Sequence, residues 1–299
     1  MTAEVRLALD EDRPAMHALR HQVFVVEQRV PEELERDDRD ATAWHAVALL
    51  DGQVVAAGRL LVGEGVGTIG RMAVDSSVRN RRLGAAVLRR LEQQATELGL
   101  TAIELHAQVQ ARRFYDRAGY VPVGDVYLEA GLEHLTMRRP LPVVRDVRDD
   151  DAEGLIALIG GCWAAYPGVE LHVDEEEPWL RAPATAYERW EGRMWVVELD
   201  GDLVACCGVK PLGAGAVELK SMYVAARARR RGLARRLEAL VRDEAAHRGA
   251  TRVELWSDTR FIEAHATYES LGYRRLAGER DLHDLSHSSE YPFAKDLTG

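Results

Sequence analysis

Two arginine-rich turns are the stretches of this sequence best equipped for chemistry. Arg79-Asn80-Arg81-Arg82-Leu83-Gly84 and Arg229-Arg230-Arg231-Gly232-Leu233-Ala234 each follow an apolar run and open a helical one. A turn that presents successive backbone N–H groups ahead of a helix N-terminus is an anion site, because unpaired donors and the helix dipole both favour negative charge. Small residues at the helix start let a phosphate approach the backbone, and the arginines surround it with charge. Either turn alone reads equally well as a solvated basic helix start. Two copies in one context favour the anion site.

Other stretches weigh less. Gly65-Val66-Gly67-Thr68-Ile69-Gly70 has the spacing of a dinucleotide fingerprint, but it runs into a strand where that motif needs a helix, so it reads as a hairpin turn. His283-Asp284-Leu285-Ser286-His287 has two histidines four apart. Asp at the usual Glu position and a turn context argue against zinc, and no metal is expected. Cys162, Cys206 and Cys207 make no disulfide framework, and the adjacent pair should point to opposite faces of a strand. The acidic segments Glu33–Asp40 and Asp174–Glu177 read as solvated loops, serving either solubility or attraction of a cationic acceptor.

The elements that must position these turns occur twice. Val74, Leu83, Gly99 and Glu104 return as Val224, Leu233, Gly249 and Glu254, each 150 positions later (224 − 74) and without a gap. Each copy reads as strand, arginine turn, helix ending at a C′ glycine, and strand. Two strands before each turn are joined by Asp51-Gly52 and by Asp200-Gly201, strong hairpin signals. A repeat of this length means two domains of one fold. The expected limits are 1–139 and 143–299, with Pro140-Leu141-Pro142 as a stiff joint.

Composition bounds the rest. At 299 residues, 46% hydrophobic and 29% charged, the chain is long enough for two ordinary cores and falls among globular proteins. No apolar run approaches the ~20 residues that span a bilayer. Met1-Thr2-Ala3-Glu4 lacks the parts of a signal peptide, so a cytoplasmic location is expected. The net charge of −10 counts against nucleic-acid binding, and the basic clusters suit a small polyanion better than a duplex.

The turns also carry a resemblance. Arg229 to Ala234 is similar to the Q/R-x-x-G-x-G/A pyrophosphate loop of the GNAT superfamily of N-acetyltransferases, and Arg79 to Gly84 fits it except for Arg82 at the central glycine. Tyr115 with Gly119-Tyr120, and Tyr268 with Gly272-Tyr273, resemble a later element of that family. The first half further resembles the ElaA branch through Val23-Phe24-Val25-Val26-Glu27-Gln28, through Glu35, Asp37, Asp40, Ala43 and His45, and through Ala107-Gln108 and Glu129-Ala130-Gly131-Leu132-Glu133-His134. In that branch the central glycine is often basic.

The resemblance implies an α/β (α+β) class. Each half should be a mixed, mostly antiparallel sheet with helices on both faces and a splay between two parallel strands. Acetyl-CoA is then the co-substrate. Its pantetheine arm lies along Met72, Ala73 and Val74 or along Met222, Tyr223 and Val224, its pyrophosphate on the turns, with Gln108 also in contact. Tyr268 and Tyr115 fall on the general-acid position. Glu218 is the implied base of the second half; its counterpart is Thr68, so Glu27 and His45 are the first half's candidates, alongside structural roles for both. Glu104 and Glu254 match one another, though a solvated flank explains them too. The expectation is a tandem N-acetyltransferase acting on a primary amine of a small molecule or peptide, as monomer or homodimer, with the second half catalytic. The competing class is a non-catalytic acetyl-CoA-binding scaffold.

Overall fold

The computed structural model describes residues 3–129 and 131–297, in two compact units that meet between Val143 and Val144. Met1 and Thr2, and Ala130 of the expected turn after Glu129, lie outside the described residues.

The first unit contains β1 (Glu4–Leu7), α1 (Arg13–Arg20), α2 (Glu32–Glu35), β2 (Trp44–Leu50), β3 (Gln53–Val62), β4 (Val66–Val74), α3 (Leu83–Glu97), β5 (Ala102–Gln108), α4 (Arg112–Arg117), β6 (Val121–Glu129) and β7 (Leu132–Pro140). The sheet order is β1-β2-β3-β4-β5-β7-β6, antiparallel except for β4 beside β5. Asp51 and Gly52 both have positive φ, +49° and +79°, the conformation a two-residue hairpin needs to match strand twist. Period-two alternation splits the core between two faces. Ala46, Ala48, Leu60, Ile69, Ile103 and Leu105 pack with Val87, Leu88 and Leu91 of α3. Val47, Leu49, Ala57 and Ala73 face the other way, against Met16 and Leu19 of α1 and Val23 of the π-helical stretch His21–Glu27 that continues it.

Within the acidic stretch of this unit Glu33 and Asp38 are exposed as expected, but Glu35, Asp37 and Asp40 are not solvated. Glu35 is 3% and Asp40 8% exposed. Arg20, itself 1% exposed, reaches Glu35 Oε1 at 2.5 Å and Asp40 Oδ1 at 3.0 Å. Arg59 binds Asp37 and Asp40, each at 2.7 Å, and Arg71 donates to the Glu35 carbonyl at 2.8 Å. Sequence shows a run of acids; the fold supplies three arginines from α1, β3 and β4. These carboxylates are therefore already neutralised and do not stand as a field for a cationic acceptor.

The second unit repeats the plan with β8 (Val143–Asp146), α5 (Ala152–Trp163), α6 (Pro183–Arg189), β9 (Arg193–Leu199), β10 (Asp202–Gly213), β11 (Ala216–Val224), α7 (Leu233–His247), β12 (Arg252–Asp258), α8 (Ile262–Ser270), the short β13 (Arg274–Arg275) and β14 (Arg280–Asp281), and β15 (Ser289–Asp296). Its order is β13-β15-β12-β11-β10-β9-β8, with β14 on β15, and again one parallel pair, β11 with β12. Cys206 packs in the cluster under α5 and Cys207 in the one under α7, opposite faces of β10. Burial raises both thiols, which removes them from thiolate chemistry. Among the described residues no helix is long and apolar enough to cross a membrane.

At the joint, Pro140 ends β7, while Leu141 is 3% exposed and its N–H donates to the Thr101 carbonyl at 2.8 Å.

The buried ion cluster makes the first unit acid-sensitive. Desolvation holds the His45 pKa below its ordinary value, so the folded state keeps a neutral ring that the unfolded chain protonates below about pH 6.5. Asp37 and Asp40 pay desolvation too, but the hydrogen bonds and charge of Arg59 and Arg20 outweigh it and hold both below the usual carboxylate range. Their contribution is present above about pH 4 and lost as pH falls toward their folded values. Stability should thus fall in two stages on acidification. Arg20→Met should remove about 3–5 kcal/mol, because Glu35 and Asp40 stay buried without their partner. Arg193→Met, at the half-exposed pair with Asp146, should cost under about 1 kcal/mol. Equal losses in denaturant titrations would show that the buried cluster carries no special weight.

Candidate active site

Each parallel pair is joined only at its start. β11 and β12 pair at Ala216↔Arg252, Val217↔Val253 and Glu218↔Glu254, then part. β4 and β5 pair from Val66↔Ala102 to Ile69↔Leu105 and then part. The outer edges stay paired, to β10 and β15 in one unit and to β3 and β7 in the other. What remains is a fork whose inner edges offer backbone donors and acceptors to a third, extended chain.

A bulge turns each fork strand at the same place. Arg71 and Ser221, 150 positions apart, have φ of +53° and +57°. The register slips there, between Ala57↔Ala73 and Arg59↔Gly70, and between Cys206↔Tyr223 and Gly208↔Lys220. Bulges re-aim a strand locally, so Met72–Val74 and Met222–Val224 leave the fork on a new heading toward the arginine turns. Neither bulge is visible in the sequence, since neither position is a glycine. The signal available was the equivalence of the two positions inside the repeat.

The turns have the anion-binding form. Asn80 and Arg82 have φ of +67° and +61°, and Arg230 and Gly232 have +59° and +77°. Arg82 and Gly232 are the left-handed caps of α3 and α7. Arg79 Nε donates to the Val74 carbonyl at 3.1 Å and Arg229 Nε to the Val224 carbonyl at 3.2 Å, so the first arginine of each turn clips it to the end of the fork strand. A Cβ at Gly232 would meet nothing within 4 Å, so its backbone angle and not crowding is what suits glycine there. Arg82 holds the same angle with a full side chain. Gly84 differs: a Cβ there would lie 3.2 Å from Val74 Cγ2, because α3 starts close against β4.

The remaining candidates divide by face. Met222, Val224 and Tyr268 belong to the core under α7 and α8, where Tyr268 is 7% exposed and lies edge-on to Tyr273 at 6.0 Å. Glu218 alternates to the opposite face from Val217 and Leu219, next to Lys210 Nζ at 2.9 Å. Tyr115 is 8% exposed between Phe114 and Tyr120. Burial pushes its phenol up to about 12 and raises that of Tyr268 as well, so both keep their protons across the working pH range. Of the first unit's candidate bases, Glu27 is ion-paired with Arg79, and His45 is buried with Nε2 at 3.0 Å from the Asp40 carbonyl. Both are engaged structurally. Gln108 donates to Gln28 at 2.9 Å across the mouth of the first fork. Glu104 lies near Arg138 at 3.9 Å and Glu254 near Arg252 at 2.7 Å. His283 and His287 sit in the loop between β14 and β15, with left-handed φ of +53° and +48°.

Two forked sheets, each with a bulged strand leading to a left-handed turn at a helix N-terminus, make a pair of units of one design. The chain belongs to the GNAT acetyltransferase family and carries two of its domains in tandem. Residues 10–141 match the model of the acetyltransferase (GNAT) domain, and residues 162–273 that of the acetyltransferase (GNAT) family. The uncharacterized N-acetyltransferase YjcF of Bacillus subtilis is 35% identical over 122 residues, 40% of this chain and 87% of that protein. Protein ElaA of Escherichia coli is 31% identical over 130 residues, 42% of this chain and 85% of its own length, and matches the first half. The crystal structure of an acyl-CoA N-acyltransferase from Pseudomonas aeruginosa is 36% identical, with 46% of this chain and 98% of that one covered and a TM-score of 0.42.

Substitutions at Gly232 separate angle from charge. Asn tolerates the left-handed region, so Gly232→Asn should bind CoA within about threefold of the parent, as a cap like Arg82 implies. Gly232→Glu places a carboxylate beside the phosphates, worth a few kcal/mol at ~5 Å, and should weaken binding to the second unit on the order of 100-fold. Calorimetry on the folded variants reads both. Equal affinities would mean that the turn does not hold the pyrophosphate.

Proposed function

We propose that this protein transfers an acetyl group from acetyl-CoA to a primary amine, with the second unit as catalyst. One observation carries the reading: Glu218 is the last residue paired across β11 and β12, so its carboxylate stands at the vertex of the fork. Lys210 Nζ lies 2.9 Å from Oε2, and Oε1 is the oxygen taken to receive the proton. A thioester whose carrier phosphates rest on Arg229–Ala234 runs along Met222–Val224 to that vertex. There a free N–H of β11 polarises the carbonyl.

The chemistry needs a base on one side of the carbonyl carbon and a proton donor on the other. Glu218 and Tyr268 lie on opposite faces of the sheet, which meets that demand. Glu218 takes the proton of the attacking nitrogen as the N–C bond forms. The C–S bond then breaks with its electron pair on sulfur, and the Tyr268 hydroxyl donates to the departing thiolate. A phenol raised by burial is a reluctant acid toward a solvated thiolate, but the same dry site also raises the proton affinity of the sulfur. The acceptor is taken to be a small molecule or peptide met in the cytoplasm.

Glu218→Gln and Tyr268→Phe should each lower turnover by roughly 10²–10⁴ while acetyl-CoA affinity holds, since each group acts as charge develops. Thiol release against an amine panel measures this. Unchanged turnover in both variants would remove the second unit from the reaction.

A further inference from the structure

The two forks differ at one matched position. The first residue of β5 beyond its last pair with β4 is His106; 150 positions later, on β12, stands Trp256. Leu105 and Ala107 are buried under α3, so alternation turns His106 to the opposite face, where it is exposed. The anion turn opens α3, on the face opposite His106, so a carrier held on that turn reaches His106 only by passing through the fork.

His106 is held in place. Its Nδ1 lies 2.5 Å from the Tyr127 hydroxyl, with the rings 6.1 Å apart and edge-on. Tyr127 stacks on His134 at 6.2 Å and 27°, and His134 Nδ1 contacts the Leu132 carbonyl at 3.0 Å. A wide bulge in β6 produces this set. Pairing runs Val123↔Thr136 and resumes at Tyr127↔His134, so Gly124, Asp125 and Val126 face Leu135 alone, with Gly124 at φ +77°. Without the two extra residues Asp125 would oppose His134 and no phenol would reach His106. Thr68 stands where the second unit has Glu218, so the first fork has no carboxylate on its β4 lip at that level.

We propose that the first unit is a second acyl-transfer site, in which His106 takes the proton of the acceptor amine and Tyr127 fixes its ring. This rests on the reading of the forks as acetyl-CoA sites. With Nδ1–H donating to the Tyr127 oxygen, Nε2 keeps an open lone pair. The amine nitrogen bonds to the acetyl carbon, its proton passes to Nε2, and the C–S bond breaks with its electrons on sulfur. The thiolate takes a proton from Tyr115 or from water. Charged and titratable groups that alternation puts on the His106 face of the neighbouring strands are Glu104 on β5, Arg138 and His134 on β7 and Tyr127 on β6.

Bromoacetyl-CoA tests this on the full chain without knowledge of the acceptor. A nitrogen beside the acyl group displaces bromide, and peptide mapping locates the adduct. The expected result is two CoA bound per chain by calorimetry, alkylation at His106 blocked by acetyl-CoA, and loss of that label in His106→Gln with CoA affinity kept. In a Glu218→Gln background, His106→Gln should lower the residual thiol release on amines by about 10²–10⁴. Tyr127→Phe should keep the label and lower kcat of that residual reaction with KM and CoA affinity unchanged. Two CoA bound with His106 unlabelled, or a single CoA per chain in the parent that Gly232→Glu abolishes, overturns the second site and leaves the proposed function intact. No CoA bound to either unit overturns that function itself.

Discussion

Keeping two neighbouring strands apart is the constraint on which each unit is built. Parallel strands pair by default along their length, and an open inner edge inside a domain leaves backbone N–H and C=O groups unpaired. Here the fork persists because each of its strands is fully paired on its other side, β4 to β3 and β5 to β7, β11 to β10 and β12 to β15. The bulges at Arg71 and Ser221 then turn one arm of the fork away from the other. A ligand with a peptide-like arm would satisfy the open groups, and their hydrogen bonding would then contribute to its binding.

Two different solutions support the bulge from behind. Arg59 pairs with Gly70 and Gly208 with Lys220, so Arg59 and Gly208 hold the same place beside their bulges. In the first unit Arg59 enters the ion cluster with Asp37, Asp40 and Arg20. In the second, a Cβ at Gly208 would overlap the Tyr187 ring, which packs with Trp179 and Trp190 at 5.7 and 5.2 Å. The aromatic filling gains from area and tolerates small shifts. The ionic filling depends on every partner staying charged, which ties the support of that bulge to pH where the aromatic filling of the other is not so tied.

Sequence shows well whatever depends on a single turn or a single period. Asp51-Gly52 and Asp200-Gly201 declare their hairpins because only left-handed angles close them, and the spacing of Val87, Leu88 and Leu91 declares a helix face. The arginine turns were legible for the same reason, their form being set within six residues. Long-range pairing was not. Nothing local in Glu35, Asp37 or Asp40 distinguishes a solvated acid from one whose arginine arrives from another strand. Tyr127 is equally silent, because its contact with His106 depends on two extra residues in β6 that no periodicity marks.

Where the two copies agree and where they part follows from which atoms do the work. The turns are alike in their backbone: the matched residues share left-handed angles while their side chains differ, Asn80 against Arg230 and Arg82 against Gly232. Proton transfer depends on side chains, and there the copies diverge: Thr68 and His106 on one fork, Glu218 and Trp256 on the other. At the vertex the copies share a glutamate on the far strand, Glu104 and Glu254, and differ in the group proposed as base, which is His106 on β5 in one fork and Glu218 on β11 in the other. A base moved from one lip to the other approaches the carbonyl from a different side of the mouth, so the nitrogen it deprotonates must come along a different path. On the proposed reading, two copies of one scaffold arranged in this way would suit two acceptors of different shape, with the acyl donor held by the part of the fold that did not change.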